Sequence, residues 1–286
     1  MYIFLDGVIV PESQAVVSVY DHGFLYGDGV YETMRSYGGI VFMVRRHMDR
    51  LARSASLIRL QVPETESLIE AVNQTLEANR ISDAYIRVTL SKGKEPIRLD
   101  PGLCARHTLV VIAEQFREYP VACYEEGVQF IFAKTRRNLA DAIDPKIKSL
   151  NFLNNILAKM EAKERGAYEA VMLNAAGFLT EGTVCNIFFV RNGILCTPSV
   201  EAGILDGITR ELVIGLARRH GLKVEEGMFY PKDLLGASEV FFTNTTAEVM
   251  PVASVEDVKF EVGEITRTLR SLYRSEVEAY VRKSGR

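Results

Sequence analysis

The sequence predicts a mixed α/β protein (α+β or α/β) built from two domains, and three observations lead to this expectation. The chain has 286 residues, which is long enough for two hydrophobic cores or for one large one. Segments with the period of strands and segments with the spacing of helices follow each other along the chain. Residues 114–126 carry charge and a proline but little periodicity, so we predict a linker there, between a small domain of residues 1–113 and a larger domain of residues 127–286.

The first predicted domain has strands at both ends and two helices in the middle. Strands are expected at 2–10, 15–20, 30–37, 40–44, 84–91 and 107–113, with helices from residue 47 and over 64–79. Gly23, Gly27 and Gly29 lie within seven residues, just before the third strand. Such a density of glycine is typical of tight backbone or of a close approach to another group.

The second predicted domain opens with a strand at 128–134, then a Pro-anchored turn and a helix that begins near Asn151 and ends at Gly166. Apolar residues recur at helical spacing in this helix, at Leu153, Ile156, Leu157 and Met160. Further strands are expected at 169–173, 178–180, 185–190 and 239–243, and further helices at about 209–220, 231–236 and 263–283.

Composition excludes several classes of protein. The chain is 48% apolar and 25% charged with a formal net charge of −3, so it lacks the basic excess of a general nucleic-acid binder. No apolar run approaches the roughly eighteen residues that a membrane span needs. The N-terminal residues alternate like a strand rather than a signal peptide, and the four cysteines form no CxxC pair and no zinc spacing. We therefore expect a cytoplasmic protein with reduced thiols and no metal.

A pair of lysines, Lys146 and Lys148, is the first candidate for chemistry. In an extended strand both would point to the same face, where each ammonium group would lower the pKa of the other. Burial beside apolar neighbours would add to this effect, and a neutral lysine amine can attack a carbonyl carbon. The alternative is a surface strand with two solvated lysines, because lysine is mostly exposed.

Two short segments are candidate phosphate-binding sites. Residues 207–210 (Gly-Ile-Thr-Arg) stand at a predicted helix start, and residues 244–246 (Asn-Thr-Thr) follow a predicted strand. Free backbone N–H groups gather at such places, and a helix N-terminus adds a favourable dipole. Ordinary helix capping by Thr or Asn explains either segment equally well. Arg50 is a further candidate phosphate ligand or a surface arginine, and Glu181 is either a buried carboxylate or a turn residue.

Together these residues fit pyridoxal 5′-phosphate (PLP), which needs a lysine, a phosphate seat and a carboxylate for its pyridine nitrogen. From about residue 3 to about residue 260 the sequence resembles the fold type IV (class IV) PLP-dependent transaminases. The motifs that carry this resemblance are Gly-Asp-Gly-Val-Tyr-Glu at 27–32, His-Met-Asp-Arg-Leu at 47–51, Ile-Lys-Ser-Leu-Asn at 147–151, Thr-Glu-Gly at 180–182, Gly-Ile-Thr at 207–209 and Thr-x-Thr-Thr-x-Glu at 243–248.

The resemblance implies a role for each matching residue. Lys148 resembles the Schiff-base lysine, and Glu181 resembles the partner of the pyridine nitrogen. The implied phosphate ligands are Arg50, Ile208, Thr209 and Thr245, and Leu205 is the residue implied to pack on the cofactor ring. The family also implies two α/β domains with the cofactor at their interface, and a homodimer whose partner loops complete each site.

The substrate is harder to predict, and four candidate functions follow from the resemblance. Several motifs resemble D-amino-acid transaminase, which predicts transfer of the amino group of D-Ala or D-Glu to 2-oxoglutarate or pyruvate. Asp-His-Gly-Phe-Leu-Tyr-Gly-Asp-Gly-Val at 21–30 instead resembles branched-chain L-amino-acid aminotransferases. The third candidate is an aminodeoxychorismate lyase, and the fourth is a catalytically inactive PLP-binding homologue. The residues expected to bind substrate are Tyr31, Arg87, Arg98 and Thr246.

Arg98 is the residue that leads us to predict D-amino acids as the substrates. D-amino-acid transaminases carry a Pro-Arg-x-His trap for the substrate carboxylate, and this chain has Pro96-Ile97-Arg98-Leu99-Asp100. The arginine is therefore kept while an aspartate replaces the histidine. Arg87 is the competitor for the same role.

Overall fold

The computed structural model describes residues 1–98 and 107–284, and the chain divides into two compact units. Unit 1 comprises the described residues within Met1–Arg117, Ile147–Asn151 and Tyr280–Arg286. Unit 2 comprises Glu118–Lys146 and Phe152–Ala279. The lysine segment Ile147–Asn151 therefore groups with unit 1, whereas we expected it in the C-terminal domain. No helix of the described residues has both the length and the apolar character that a membrane crossing requires.

Unit 1 contains a six-stranded antiparallel sheet in the described residues, with the strand order β2-β1-β6-β5-β3-β4. Its strands are β1 (Tyr2–Leu5), β2 (Val8–Pro11), β3 (Gly29–Tyr37), β4 (Ile40–Val41), β5 (Ala84–Ser91) and β6 (Thr108–Gln115). Three helices accompany it, α1 (His22–Tyr26), α2 (Val44–Leu57) and α3 (Thr65–Asn79). Residues 15–20 do not form the expected strand, because they join no sheet in the part of the chain that the structure describes.

The core of unit 1 lies between the sheet and its two long helices. β5 alternates between buried and half-buried positions along most of its length, so one face carries Ile86, Val88 and Leu90 into the core. Met48 and Leu51 of α2 are fully buried against the same cluster. β3 differs from β5, because seven of its nine residues are buried and charged residues are among them. These buried charges belong to the site described below.

Unit 2 contains a nine-stranded mixed sheet in the described residues, with the order β12-β11-β10-β13-β14-β7-β8-β9 and β15 beside β14. Its strands are β7 (Val128–Phe132), β8 (Glu169–Leu173), β9 (Leu179–Gly182), β10 (Asn186–Arg191), β11 (Ile194–Pro198), β12 (Val224–Gly227), β13 (Glu239–Asn244), β14 (Glu248–Val255) and β15 (Val258–Lys259). Its helices are α4 (Val121–Glu125), α5 (Leu153–Glu164), α6 (Ile208–Arg219), α7 (Pro231–Leu235) and α8 (Glu264–Ser284), whose last turns belong to unit 1.

These elements confirm the mixed α/β class, and they correct several details of the prediction. β8 has the predicted bounds, β13 ends one residue later than predicted, and α6 begins and ends one residue earlier than predicted. The expected linker contains a helix, α4, rather than only irregular chain. The strands β11, β12, β14 and β15 and the short helix α1 were not predicted. The apolar stripe of α5 is not a core face, because its four members are 45–67% exposed: Leu153, Ile156, Leu157 and Met160.

Candidate active site

In unit 1, Lys148 is held by backbone hydrogen bonds rather than by a regular strand. Its N–H donates to Ser54 Oγ (3.2 Å), and its carbonyl oxygen accepts from the N–H of Tyr31 (3.0 Å). An isolated bridge between Val30 and Ser149 ties the next residue to β3. Lys148 is half-buried while Lys146 is exposed, so the structure distinguishes the two lysines that the sequence left together.

The side chain of Lys148 lies beside an aromatic ring that also contacts an arginine. Lys148 Nζ is 4.6 Å from the centroid of the Tyr31 ring, and Arg87 Cζ lies 3.9 Å over the same ring. Arg87 also donates from Nε to Thr89 Oγ1 (3.2 Å). Burial raises the pKa of Tyr31 and outweighs the opposing charge of Arg87, so the phenol keeps its proton. Unit 1 thus brings together the predicted residues Lys148, Tyr31 and Arg87.

Arg50 belongs to a buried ion cluster that the sequence did not predict. Its Nε and Nη2 donate to Glu32 Oε1 (2.6 Å) and Oε2 (2.9 Å), and His47 Nδ1 lies 2.7 Å from Glu32 Oε2. Burial raises the pKa of the Glu32 carboxyl, but Arg50 and His47 outweigh it and hold that pKa well below its usual range. Burial lowers the pKa of His47, so the neutral ring donates from Nδ1 to the Glu32 carboxylate. The guanidinium of Arg50 is therefore fixed in direction before any ligand binds.

In unit 2, Glu181 is a buried carboxylate rather than a solvent-exposed turn residue. Its Oε1 accepts from Arg137 Nε (3.0 Å), and its Oε2 accepts from Asn186 Nδ2 (3.2 Å) and from the N–H of Leu205 (3.1 Å). Glu181 is 5% exposed. Leu205, predicted to pack on a cofactor ring, therefore also contributes a backbone donor to this carboxylate. Arg137 and Asn186 were not predicted as site residues.

The first turn of α6 is suited to an anion. The N-cap is Gly207, which has no side chain, so Thr209 is not the capping residue of this helix. A Cβ atom on Gly207 would lie 2.0 Å from Asn186 Oδ1, so only glycine lets the backbone approach this closely. Ile208 and Thr209 are each 7% exposed. The uncapped N–H groups and the helix dipole together favour a phosphate.

The turn after β13 has a different arrangement from the one expected. Asn244 Oδ1 accepts from the N–H groups of Thr246 (3.1 Å) and Ala247 (2.7 Å), while Thr246 Oγ1 lies 3.0 Å from the hydroxyl of Tyr119. The N–H of Thr246 therefore donates a hydrogen bond within the turn rather than pointing to an open binding site. Thr243 Oγ1 is buried and has no hydrogen-bond partner in the part of the chain that the structure describes. Thr245 is half-buried beside it.

Arg98 is exposed, and its N–H donates to the carbonyl oxygen of Pro96 (2.7 Å). Among the described contacts, Arg87 rather than Arg98 meets Tyr31. Asp100, which we expected beside Arg98, lies outside the described residues. Glu32, His47 and Arg137 were missed as site residues, and of these Glu32 gives a sequence signal, because it is a charged side chain inside a predicted strand.

Comparisons with known proteins agree on one family. A family model described as "Amino-transferase class IV" matches residues 29–255. A putative branched-chain-amino-acid aminotransferase of Methanocaldococcus jannaschii is 43% identical over 278 residues, 96% of each chain. A D-alanine aminotransferase of Bacillus licheniformis is 35% identical over 90% of this chain and 89% of that protein. The crystal structure of a branched-chain aminotransferase of Thermoproteus uzoniensis with norvaline superposes with a TM-score of 0.92 at 38% identity, covering 98% of this chain and 97% of that one.

Proposed function

The chain belongs to the class IV aminotransferases, and we propose that it transfers the amino group of branched-chain L-amino acids to a 2-oxo acid. The observation that carries this proposal is the contact of Lys148 and Arg87 with one Tyr31 ring. The ring offers an apolar face for an alkyl side chain, and Arg87 offers a cation for the carboxylate of an acidic 2-oxo acid such as 2-oxoglutarate. A transaminase must accept both kinds of substrate in turn.

The cofactor of this enzyme is pyridoxal 5′-phosphate, and the residues present fit it. The uncapped α6 N-terminus and the absence of room for a Cβ at Gly207 suit a phosphate group. A buried carboxylate held by an arginine suits a protonated pyridine nitrogen. We propose that the phosphate ligands are Arg50, Ile208, Thr209 and Thr245, and that Leu205 packs on the ring.

When bound, pyridoxal phosphate supplies the electron sink that stabilises negative charge at the substrate Cα. Lys148 is the proposed covalent attachment point and the base that removes the Cα proton. Glu181 remains an anion and holds the proton of the pyridine nitrogen. Tyr31 keeps its phenolic proton because of its raised pKa, so it serves as a hydrogen-bond donor and an apolar wall rather than as a base.

D-amino-acid transamination, with D-Ala or D-Glu as donor, is the second candidate. We expect a branched-chain enzyme to hold the substrate carboxylate with backbone N–H groups of the Thr245–Thr246 turn, but the N–H of Thr246 donates to Asn244 Oδ1 in this chain. The turn therefore favours the second candidate. A D-amino acid would bind with its carboxylate turned away from the Thr245–Thr246 turn, so this carboxylate would need a cation on the opposite side of the substrate. Arg98 is the residue proposed for that role, and its exposure leaves it accessible to a carboxylate.

A panel of half-reactions tests the proposal. The purified enzyme is mixed separately with L-Leu, L-Val, L-Glu, D-Ala and D-Glu, and the visible absorbance band of the bound cofactor is followed. We expect L-Leu, L-Val and L-Glu to bleach this band within the mixing experiment. Bleaching by the D-amino acids alone would replace our proposal with the second candidate. A chain that bleaches with none of the five while binding PLP would be an inactive homologue or a lyase.

Two arginine variants locate the carboxylate ligand in the same assay. Arg87→Ala should raise the KM for 2-oxoglutarate by about ten- to a hundredfold, the value of a charge-assisted contact, and should leave the KM for L-Leu nearly unchanged. Arg98→Ala is the matched control, because it removes the same charge from an exposed position. The reverse pattern, with Arg98→Ala impaired towards D-amino acids, would favour the second candidate.

The enzyme is also proposed to be a cytoplasmic homodimer. The exposed α5 stripe supports the dimer, because four apolar side chains at helical spacing leave an uncharged surface that a second copy would cover. Leu157→Glu should shift the mass in sedimentation equilibrium from dimer to monomer, whereas Lys163→Glu near the end of the same helix should not. The free thiols of Cys123, Cys185 and Cys196 support a reducing compartment.

A further inference from the structure

We propose that Arg137 is a positioning residue that keeps Glu181 ionised and directed for the cofactor. This inference rests on the proposed role of Glu181 at the pyridine nitrogen. It adds a residue that lies outside every motif by which the chain resembles its family. The role it assigns is electrostatic: Arg137 controls the protonation state of Glu181 and does not touch substrate.

The contact between the two side chains carries the argument. Arg137 Nε lies 3.0 Å from Glu181 Oε1, and the side chains are 9% and 6% exposed. A carboxylate buried to this degree tends to take up a proton, because burial penalises the charged form. A neutral carboxylic acid could not hold a pyridinium. Arginine stays charged at every pH at which proteins fold, so it is the residue type that can oppose this tendency permanently.

Arg137 is itself fixed on two sides. Its backbone N–H donates to the carbonyl oxygen of Leu173 in β8 (2.9 Å), and its Nη1 donates to Asn155 Oδ1 (3.4 Å) and Asn154 Oδ1 (3.5 Å) in the first turn of α5. Asn155 is buried and donates from Nδ2 to the carbonyl oxygen of Thr183 (2.7 Å). The guanidinium is thus placed against Glu181 by the fold rather than by the cofactor.

Two groups that donate to the other oxygen of Glu181 carry no charge. Oε2 accepts from the Asn186 amide and the Leu205 N–H, which are neutral donors. The Cys185 thiol is also near Glu181, and burial together with Glu169 and Glu181 raises the pKa of this thiol well above its usual value, so it is uncharged. Neither the amide, the N–H nor the thiol can therefore take over the charge that Arg137 supplies.

The test is the pH profile of the holoenzyme half-reaction with Arg137→Gln, with Arg137→Lys as the charge-preserving control. L-Leu and D-Ala are the donors, each at saturation, from about pH 6 to about pH 9. We expect Arg137→Gln to be about ten- to a hundredfold slower than wild type at pH 7 and to recover as the pH rises, because Glu181 then ionises without help. Arg137→Lys should keep the wild-type shape of the profile. Glu181→Gln should be slow at every pH. As a readout apart from turnover, the affinity of each apoenzyme for PLP is measured by titration at pH 7, where Arg137→Gln should bind PLP more weakly than Arg137→Lys, and equal affinities would contradict the inference.

The outcomes separate this inference from the proposed function. If neither donor bleaches the wild-type cofactor band, the proposed function fails. If wild type reacts while the profile of Arg137→Gln runs parallel to it, Arg137 is only structural and the inference is overturned. Should Arg137→Gln not fold by circular dichroism, Asn155→Ala takes its place, because it removes an anchor of the guanidinium and leaves the charge. A kcat lower by roughly two- to tenfold with an unchanged KM supports the inference, and an unchanged kcat overturns it.

Discussion

Replacing Glu32 with Gln should destabilise unit 1 far more than its single-atom change suggests. Glu32 is fully buried and accepts three short hydrogen bonds, two from Arg50 and one from His47. The amide keeps the shape but supplies one oxygen where the carboxylate supplies two. At least one of the three contacts then places two donors against each other, since Oε1 accepts one bond and Oε2 accepts two, and the Arg50 charge loses its counter-ion.

Removing one partner of a buried ion pair typically lowers the free energy of unfolding by about 3–5 kcal/mol. Because the amide retains one oxygen, we expect a loss of about 3 kcal/mol for Glu32→Gln. At about 2–4 °C per kcal/mol for a chain of this size, the midpoint of thermal unfolding should fall by about 6–12 °C. Glu66→Gln is the matched control, because Glu66 pairs with Arg45 in a contact where both side chains are at least 66% exposed. The control should unfold at the wild-type temperature.

Far-UV circular dichroism is the appropriate signal, because the chain has no tryptophan. The apoenzyme gives the contribution of the ion cluster alone, since bound cofactor would add its own stabilisation. Repeating the measurement with PLP and with pyridoxal tests Arg50 as a phosphate ligand. Glu32→Gln should lose more of the stabilisation by PLP than of that by pyridoxal, which has no phosphate.

The same cluster predicts how wild-type stability depends on pH. The folded-state pKa of Glu32 lies below its ordinary value of 4.5, and that of His47 lies below its ordinary value of 6.5. Between the folded-state pKa and the ordinary pKa of each group, the unfolded chain binds more protons than the folded chain. The contribution of each group to the free energy of unfolding is therefore complete above its ordinary pKa and is lost as the pH falls towards its folded-state pKa. Wild type should therefore weaken below about pH 6.5 and more steeply below about pH 4.5, and Glu32→Gln should lack the second part. A variant as stable as wild type at pH 7, or one with the same acid profile, would refute the reasoning.

Two further predictions concern the lysine and the α6 turn. Lys148→Ala should lower the transamination rate by at least about 10²–10⁴-fold, because the Cα proton loses its base, while Lys146→Ala should react like wild type in the same steady-state assay. Gly207→Ala should lose bound PLP on gel filtration, because its methyl group would lie 2.0 Å from Asn186 Oδ1. Gly215→Ala, further along the same helix, has nothing nearer than 3.6 Å among the described residues and should retain PLP and gain about 0.5–1 kcal/mol of stability.

The fold was predictable where one face of an element is buried and was missed where this pattern is absent. β8 and β13 are apolar runs between turn residues, so their bounds follow from the sequence. β12 is an edge strand with two exposed glutamates, and among the described strands it pairs with β11 alone. β14 contains Pro251 and has no alternation, since its first five residues are buried on both faces. Periodicity has no signal to offer in either case.

The sequence predicted individual residues of the candidate site, but it did not predict the residues that pair with them. Lys148, Glu181 and Arg50 stand in recognisable motifs, whereas the pairs Arg50–Glu32 and Glu181–Arg137 join residues 18 and 44 positions apart. A pairing of that kind is set by tertiary structure, so spacing along the chain does not reveal it. The one usable signal was Glu32 itself, a charge in a strand whose neighbours are buried. A charge that a strand buries calls for a counter-ion.

The α5 stripe shows what an apolar pattern can and cannot predict. Helical spacing of Leu153, Ile156, Leu157 and Met160 correctly predicted a helix, but the spacing alone does not show whether these side chains pack into the core. In the single chain these side chains are 45–67% exposed, while the buried residues of α5 are Asn155, Ala158 and Ala162. The small buried residues let the helix approach β8 closely, and the large ones face away from it. Periodicity therefore indicates an apolar surface but not what covers it, and the second copy of the chain that we propose above would cover this one.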